Sequence, residues 1–383
     1  MDFALSASHR AVQERARAFA DTTLRPVIAA LDAERRFPAE HVPLLAAEGF
    51  LAIHWPKEHG GAGLDTLACA LVLEELARVS PAHAIMVSVQ ASLVGLPLVA
   101  FGTAEQKAAW LPRLARGEAL GGLAFTEAEA GSDAAAIRTR ARPDGEGWLL
   151  SGEKVMVTNG GPAALALVIA TVDPERGGKG LTAFLVPLDA RGVTKGPRDR
   201  LMGLHPSDVR SLHFENVRLP AEARLGGDGE GLKVALAGLN VGRIGVAAQA
   251  TGIAAETTDR AIAWARARKQ FGGALANLGA IGELLADMAL ERDVARLFTH
   301  EAATARDRGE DFAHLAARAK WAASEAAVKC ADRCIQVHGG WGYHESVGVE
   351  RYARDAKVTT LYEGTSEMQK LLVARHAVTA GGA

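Results

Sequence analysis

The pattern of apolar residues changes twice along this chain of 383 residues, and those two changes constrain its fold class. Up to about residue 115 the chain reads as helical. Ala, Leu, Glu and Arg dominate, and Leu67-Ala68-Cys69-Ala70-Leu71-Val72-Leu73-Glu74-Glu75-Leu76 spaces its apolar residues as a helix does. Near Gly121 short apolar runs begin to alternate with turn residues. Runs at 148–150, 165–170 and 182–186 predict strands, and Ser211-Leu212-His213-Phe214-Glu215 alternates as a half-buried strand must. Gly, Pro and Asp clusters at 143–147, 173–180 and 189–199 predict turns. After Gly231 helical spacing returns over about 232–268, 279–307 and 312–337, with glycine-containing breaks between. Helices, then strands, then helices predict an α+β chain. The expected domains are helical at 1–118, a central β domain at 119–226, and a helical bundle at 227–383.

Composition narrows the function classes. Hydrophobic residues at 49% with 23% charged are ordinary for a globular chain and exclude disorder. The formal net charge is −2, so no basic field recruits nucleic acid or an anionic membrane. Three cysteines, Cys69, Cys330 and Cys334, are too few for a disulfide framework and fit a reducing compartment. Met1-Asp2-Phe3-Ala4 shows no basic or apolar leader, and the expectation is a cytoplasmic protein. Val79 to Ala104 carries no Asp, Glu, Lys or Arg and is long enough to span a membrane. Pro81, Ser88, Gln90, Ser92, Gly95 and Pro97 interrupt it, and no polybasic flank or aromatic belt marks an interface. Buried core helices without membrane insertion are expected.

Two motifs invite functional readings that physics disfavours. Gly227-Asp228-Gly229-Glu230-Gly231 lacks the Gly-Lys-Ser/Thr ending of a phosphate loop and the strand context of a dinucleotide fingerprint. It is read as a flexible domain connection. Cys330, Cys334 and His338 recur every four residues, but the outer two lie about 12 Å apart along a helix. One ion cannot bind all three at about 2 Å, so they are read as packing residues with no metal.

The strongest signal is a series of short motifs in order. They are Ala124-Phe125-Thr126-Glu127 with Gly131-Ser132-Asp133, Gly152-Glu153-Lys154 with Thr158-Asn159-Gly160-Gly161, and Gly242-Arg243-Ile244-Gly245. Arg268-Lys269-Gln270-Phe271-Gly272, Gln336-Val337-His338-Gly339-Gly340 and Leu361-Tyr362-Glu363-Gly364-Thr365-Ser366-Glu367 follow. Over nearly its whole length the chain resembles the acyl-CoA dehydrogenase family, in its short- and medium-chain members. The resemblance implies an N-terminal helical domain, a central β domain and a C-terminal four-helix bundle around FAD.

By the same resemblance Glu363 is the base that takes the α-proton of an acyl-CoA, and its own N–H helps hold the thioester oxygen. Gly364 lets the thioester approach. Phe125, Thr126, Met156 and Thr158 are expected at the flavin. Ser132 is expected at the acyl-CoA chain or the FAD pyrophosphate, and Asn240 and Arg243 on the substrate side. Arg268, Phe271, Gln336, Gly339 and Gly340 would hold FAD from a neighbouring subunit, and Thr365 and Glu367 are further cofactor contacts. That sharing implies a homo-oligomer, a dimer of dimers, passing electrons to an electron-transfer flavoprotein.

Departures from the family pattern stand out. Met156 replaces a tryptophan over the flavin, Gly279 and Gly282 replace glutamines, and Asn240 stands where an acidic residue often meets CoA. Gly242 occupies the place where some relatives carry the base, and Ala84-Ile85 replaces the Arg-Ser pair of diacid-specific relatives. Two other classes remain open: an oxygen-using flavin oxidase or monooxygenase of the same fold, and a non-catalytic flavin-binding relative.

Overall fold

The computed structural model describes residues 4–380. Met1 to Phe3, read above for a leader, lie outside that range. The N-terminal part comprises α1 (Ala7–Phe19), α2 (Ile28–Ala33), α3 (Val42–Ala47), α4 (Thr66–Val79), α5 (Pro81–Ser88), α6 (Leu96–Phe101) and α7 (Ala104–Ala115). Side-chain caps start four of them. Ser6, Asp65, Ser80 and Thr103 each accept from the N–H three residues on, satisfying a donor that the helix leaves free. The uncharged stretch forms α5, a π-helical segment Val89–Gly95, and α6. Every residue from Pro81 to Gly95 is buried, as expected of core helices. Buried Gln90 donates to Leu114 O and accepts from Gly121 N–H, tying this core to the β domain.

The sheet contains β1 (Leu120–Ala124), β2 (Arg140–Asp144), β3 (Gly147–Thr158), β4 (Ala163–Thr171), β5 (Leu181–Pro187), β6 (Val193–Arg198), β7 (Val209–Leu219) and β8 (Arg224–Leu225). Their order is β6-β7-β3-β2-β4-β5-β8, with β1 parallel to β4. The expected strands at 148–150, 165–170, 182–186 and 211–215 all fall inside observed ones. Two were missed. Residues 189–199 were expected to be a turn, yet β6 lies there, antiparallel to β7. It is an edge strand, where Pro197 removes no ladder bond, so the turn-like composition is tolerated. The other, β2, shows one buried side chain, Ala141, and therefore no apolar run.

The C-terminal part contains α8 (Gly231–Ala267), the hairpin β9 (Lys269–Gln270) and β10 (Gly273–Ala274), α9 (Gly279–Asp307), α10 (Ala313–His338), α11 (Glu350–Thr359) and α12 (Ser366–Ala380). At about 55 Å, α8 is the spine of the molecule. Its glycines admit close neighbours: a Cβ at Gly252 would meet α4 backbone, and one at Gly231 would lie 2.6 Å from Thr182 N in β5. The 227–231 connection is therefore fixed rather than flexible. Gly229 N–H also donates to Thr182 Oγ1 at 3.1 Å. Ion pairs tie α4 to the bundle, Arg78 to Glu256 and Glu74 to Arg296. Cys330 and Cys334 are wholly buried among Met288, Trp264 and Val337, as packing residues are.

Candidate active site

Glu363 lies in the turn between α11 and α12. Its φ is +51° and that of Gly364 is +95°, both left-handed. For a glutamate this conformation costs of order 1 kcal/mol, so surrounding structure must hold it. Three contacts do. Lys320 Nζ on α10 donates to Gly364 O at 2.6 Å. Gln369 Nε2 on α12 donates to the same oxygen at 3.0 Å and to Glu363 O at 3.4 Å. Below the turn, Ser324 Oγ donates to Thr359 O at 2.7 Å.

The carboxylate points into the protein. The residue as a whole is half-buried, but both carboxylate oxygens are shielded from solvent and neither accepts a hydrogen bond. A buried polar atom without a partner is rare and calls for an explanation. Its neighbours are Gly242 of α8 and Leu93, and a Cβ at Gly242 would overlap Glu363 Oε2. Glu363 and Gly242, distant in sequence, therefore converge on one point. Burial pushes the carboxyl up to about 7, with Lys320 and Arg243 pulling it back down. Arg243 donates from Nη1 to Asn240 Oδ1 at 2.8 Å, and its buried Nε has no partner. The Glu363 N–H also has no hydrogen-bond partner among the described residues. A shielded carboxylate, a free backbone N–H and a confined cation thus meet at one place.

A second group gathers at the end of β3. Val155 N–H donates to Thr126 O at 2.9 Å, which sets Phe125 and Thr126 beside that strand. The β3–β7 register breaks between Lys154 and Val157, and Met156 there has φ +56° with its side chain 70% exposed. The hydroxyls of Thr126 and Thr158 have no partner among the described residues. Wholly buried Lys154 supports the loop, donating to Phe125 O at 2.9 Å and to Glu127 Oε1 at 2.7 Å. Ser132 is exposed on the adjoining loop.

A third group lies elsewhere. Arg268 is exposed beyond α8, and Phe271 is 92% exposed in the hairpin with φ +51°. Gln336, Gly339 and Gly340 are exposed at the end of α10. Trp264 stacks on His338 with centroids 4.7 Å apart, so these ends of α8 and α10 adjoin. From Gly242 to Arg268 α8 runs about 39 Å, and from Lys320 to Gln336 α10 runs about 24 Å. The structure therefore does not bring Arg268, Phe271 and Gln336–Gly340 to the Glu363 of the same chain. Thr365 Oγ1 accepts from Met368 N–H at 3.3 Å, and Glu367 is exposed. Gly279 and Gly282 face open space.

Sequence reasoning missed Lys320 and Gln369. Lys320 left a trace, as a lone charge among alanines on a buried helix face.

Comparison with known proteins gives the family. Profiles described as Acyl-CoA dehydrogenase N-terminal, middle and C-terminal domains match residues 6–118, 122–217 and 229–378. The chain is 42% identical to the mitochondrial short-chain specific acyl-CoA dehydrogenase of Bos taurus, over 97% of this chain and 90% of that one. The structure of butyryl-CoA dehydrogenase from Megasphaera elsdenii superposes with TM-score 0.97 at 36% identity, covering 99% and 100% of the two chains. A glutaryl-CoA dehydrogenase from Mycobacterium smegmatis in complex with FADH2 gives TM-score 0.93 at 33% identity, covering 99% and 96%. The chain belongs to the acyl-CoA dehydrogenase family and is an oxidoreductase of that family.

Proposed function

We propose that this protein dehydrogenates a saturated acyl-CoA to the trans-2-enoyl-CoA, with Glu363 as the base. The observation that carries this is the shielded, unpartnered carboxylate beside its own free N–H. The α-proton passes to a Glu363 oxygen as the α,β double bond forms. The thioester oxygen, gaining charge as that proton leaves, accepts from the Glu363 N–H. Gly364 carries no side chain to obstruct the thioester. Arg243, held by Asn240, keeps a positive charge close to the carboxylate. Ala84 and Ile85 are buried and offer no cation to a second carboxylate, which argues against a diacid, and a base in the C-terminal motif fits straight acyl groups of short or medium length.

The residues present fit FAD. Free hydroxyls on Thr126 and Thr158 supply donors for a flavin edge, with Phe125 and Met156 beside them. Ser132 lies within the same loop region. Bound there, FAD would supply the acceptor for the β-hydride. Arg268 has no acidic partner among the described residues, as a pyrophosphate ligand requires. Its distance from Glu363 supports a cofactor shared between subunits, with Phe271, Gln336, Gly339 and Gly340 reaching the neighbour's FAD. Thr365 and Glu367 complete the proposed contacts on the other side. The acceptor of the electrons is an electron-transfer flavoprotein.

Three outcomes test this. Protein purified from cells should carry non-covalent FAD, and Arg268→Ala should weaken FAD binding about tenfold or more. Colourless protein that also fails to bind added FAD contradicts the cofactor. Light scattering should give a homo-oligomer, most simply a tetramer, whereas a monomer holding FAD tightly contradicts the shared site. Acyl-CoAs of graded length, mixed anaerobically, should bleach the flavin fastest within a short- or medium-chain range. No bleaching by any of them, with FAD bound, removes the dehydrogenase reading.

A further inference from the structure

Lys320 is a buried cation that the chemistry above does not use. It is wholly out of solvent on α10, and its ammonium makes one hydrogen bond, from Nζ to Gly364 O at 2.6 Å. Burying an ammonium is costly, and a methionine would fill the same volume without that cost. The presence of such a residue in a small-residue helix face needs a reason.

Geometry supplies one. The charged groups facing the Glu363 carboxylate are Lys320 from α10 and Arg243 from α8, while Glu325 and Glu367 act on Lys320 from α10 and α12. Lys320 and Glu363 form no ion pair among the described residues. The ammonium instead grips the peptide next to the base, so the carboxylate oxygens stay open for a proton. A direct ion pair would stabilise the carboxylate and weaken it as a base. Gln369 shares the Gly364 oxygen but is neutral, so it can hold the turn without biasing charge.

We propose that Lys320 is a positioning residue for the base: it locks the left-handed Glu363–Gly364 turn through the Gly364 carbonyl and holds its ammonium at the peptide next to Glu363. The proposal rests on the reading of Glu363 as base.

The test uses the FAD-loaded enzyme and a straight-chain acyl-CoA that wild type oxidises, with kcat and KM followed from about pH 5.5 to 9.5. Lys320→Met and Lys320→Gln remove the charge, and the amide of the latter still reaches towards Gly364 O. Gln369→Met loosens the turn alone. Both lysine variants should move the acidic limb of kcat up by about one pH unit or more. At pH 7 kcat should fall about fivefold, with KM changing less than about threefold. At high pH Lys320→Gln should recover more kcat than Lys320→Met, and Gln369→Met should leave the limb in place. A limb unmoved in the lysine variants, with kcat falling uniformly alongside Tm, overturns the proposal. Should Lys320→Met fail to keep FAD, Lys320→Gln decides by the same criterion. An inactive Glu363→Gln with unshifted lysine variants removes only the role of Lys320. An active Glu363→Gln removes the base assignment itself.

Discussion

Glu363→Gln is expected to stop turnover while fold, assembly and FAD binding persist. The amide matches the carboxylate in size but cannot accept the α-proton. Loss of a general base commonly costs about 10²–10⁴-fold, and more where no substitute is in reach. None is in reach here. Gly242 lies where an alternative base would come from, and the charged neighbours, Arg243 and Lys320, are cations. In wild type, kcat/KM should fall as pH drops through about 7, because the raised carboxyl then takes up a proton in the free enzyme.

The same variant has a stability signature of known sign. A carboxyl whose folded value is raised from 4.5 to about 7 favours the folded state most at low pH, and that contribution is lost as pH rises through 7. Glutamine never ionises. Glu363→Gln should therefore melt higher than wild type at pH 8, by up to roughly 3 kcal/mol of unfolding free energy, and match it near pH 4. A Gln variant that bleaches the flavin at the wild-type rate and shows no such difference would mark Glu363 as a solvated turn residue.

Much of the fold was legible because its signals are local. The long helices were expected at 232–268, 279–307 and 312–337 and are found at Gly231–Ala267, Gly279–Asp307 and Ala313–His338. Glycine breaks and helical spacing suffice for such boundaries. Edge strands were less legible. A strand such as β6, with Gly196 and Pro197 inside it, is held by its neighbour β7 rather than by its own pattern. The 227–231 glycines were misjudged for a related reason. Their close packing on β5 is a long-range fact, and composition alone reads as looseness.

The site divides in the same way. Glu363 was visible as a motif. That its carboxylate abuts Gly242 was not, because the two are distant in sequence and meet only when α8 packs against the α11–α12 turn. Lys320 escaped notice because its partner is a backbone carbonyl, which no side-chain pattern announces. Met156 was noticed as a departure, but its left-handed backbone at a register break emerges only from the pairing of β3 with β7.

Gly242→Ala is expected to lower kcat by about 10²-fold, although the exchange would ordinarily favour a helix. In a helix interior alanine is better than glycine by roughly 1 kcal/mol. At this position the added methyl would overlap Glu363 Oε2 and come within 2.7 Å of Leu93 Cδ2. The α8 backbone cannot retreat, since Gly252 and Gly231 fix it against α4 and β5. The Glu363 side chain must move instead, and a displacement of about 1 Å at a reacting group can cost 10²-fold. FAD content should be unchanged, because no proposed flavin contact touches Gly242. Wild-type kcat in Gly242→Ala would mean that the carboxylate does not rest against α8 at this point, and the placement of the base would have to be abandoned.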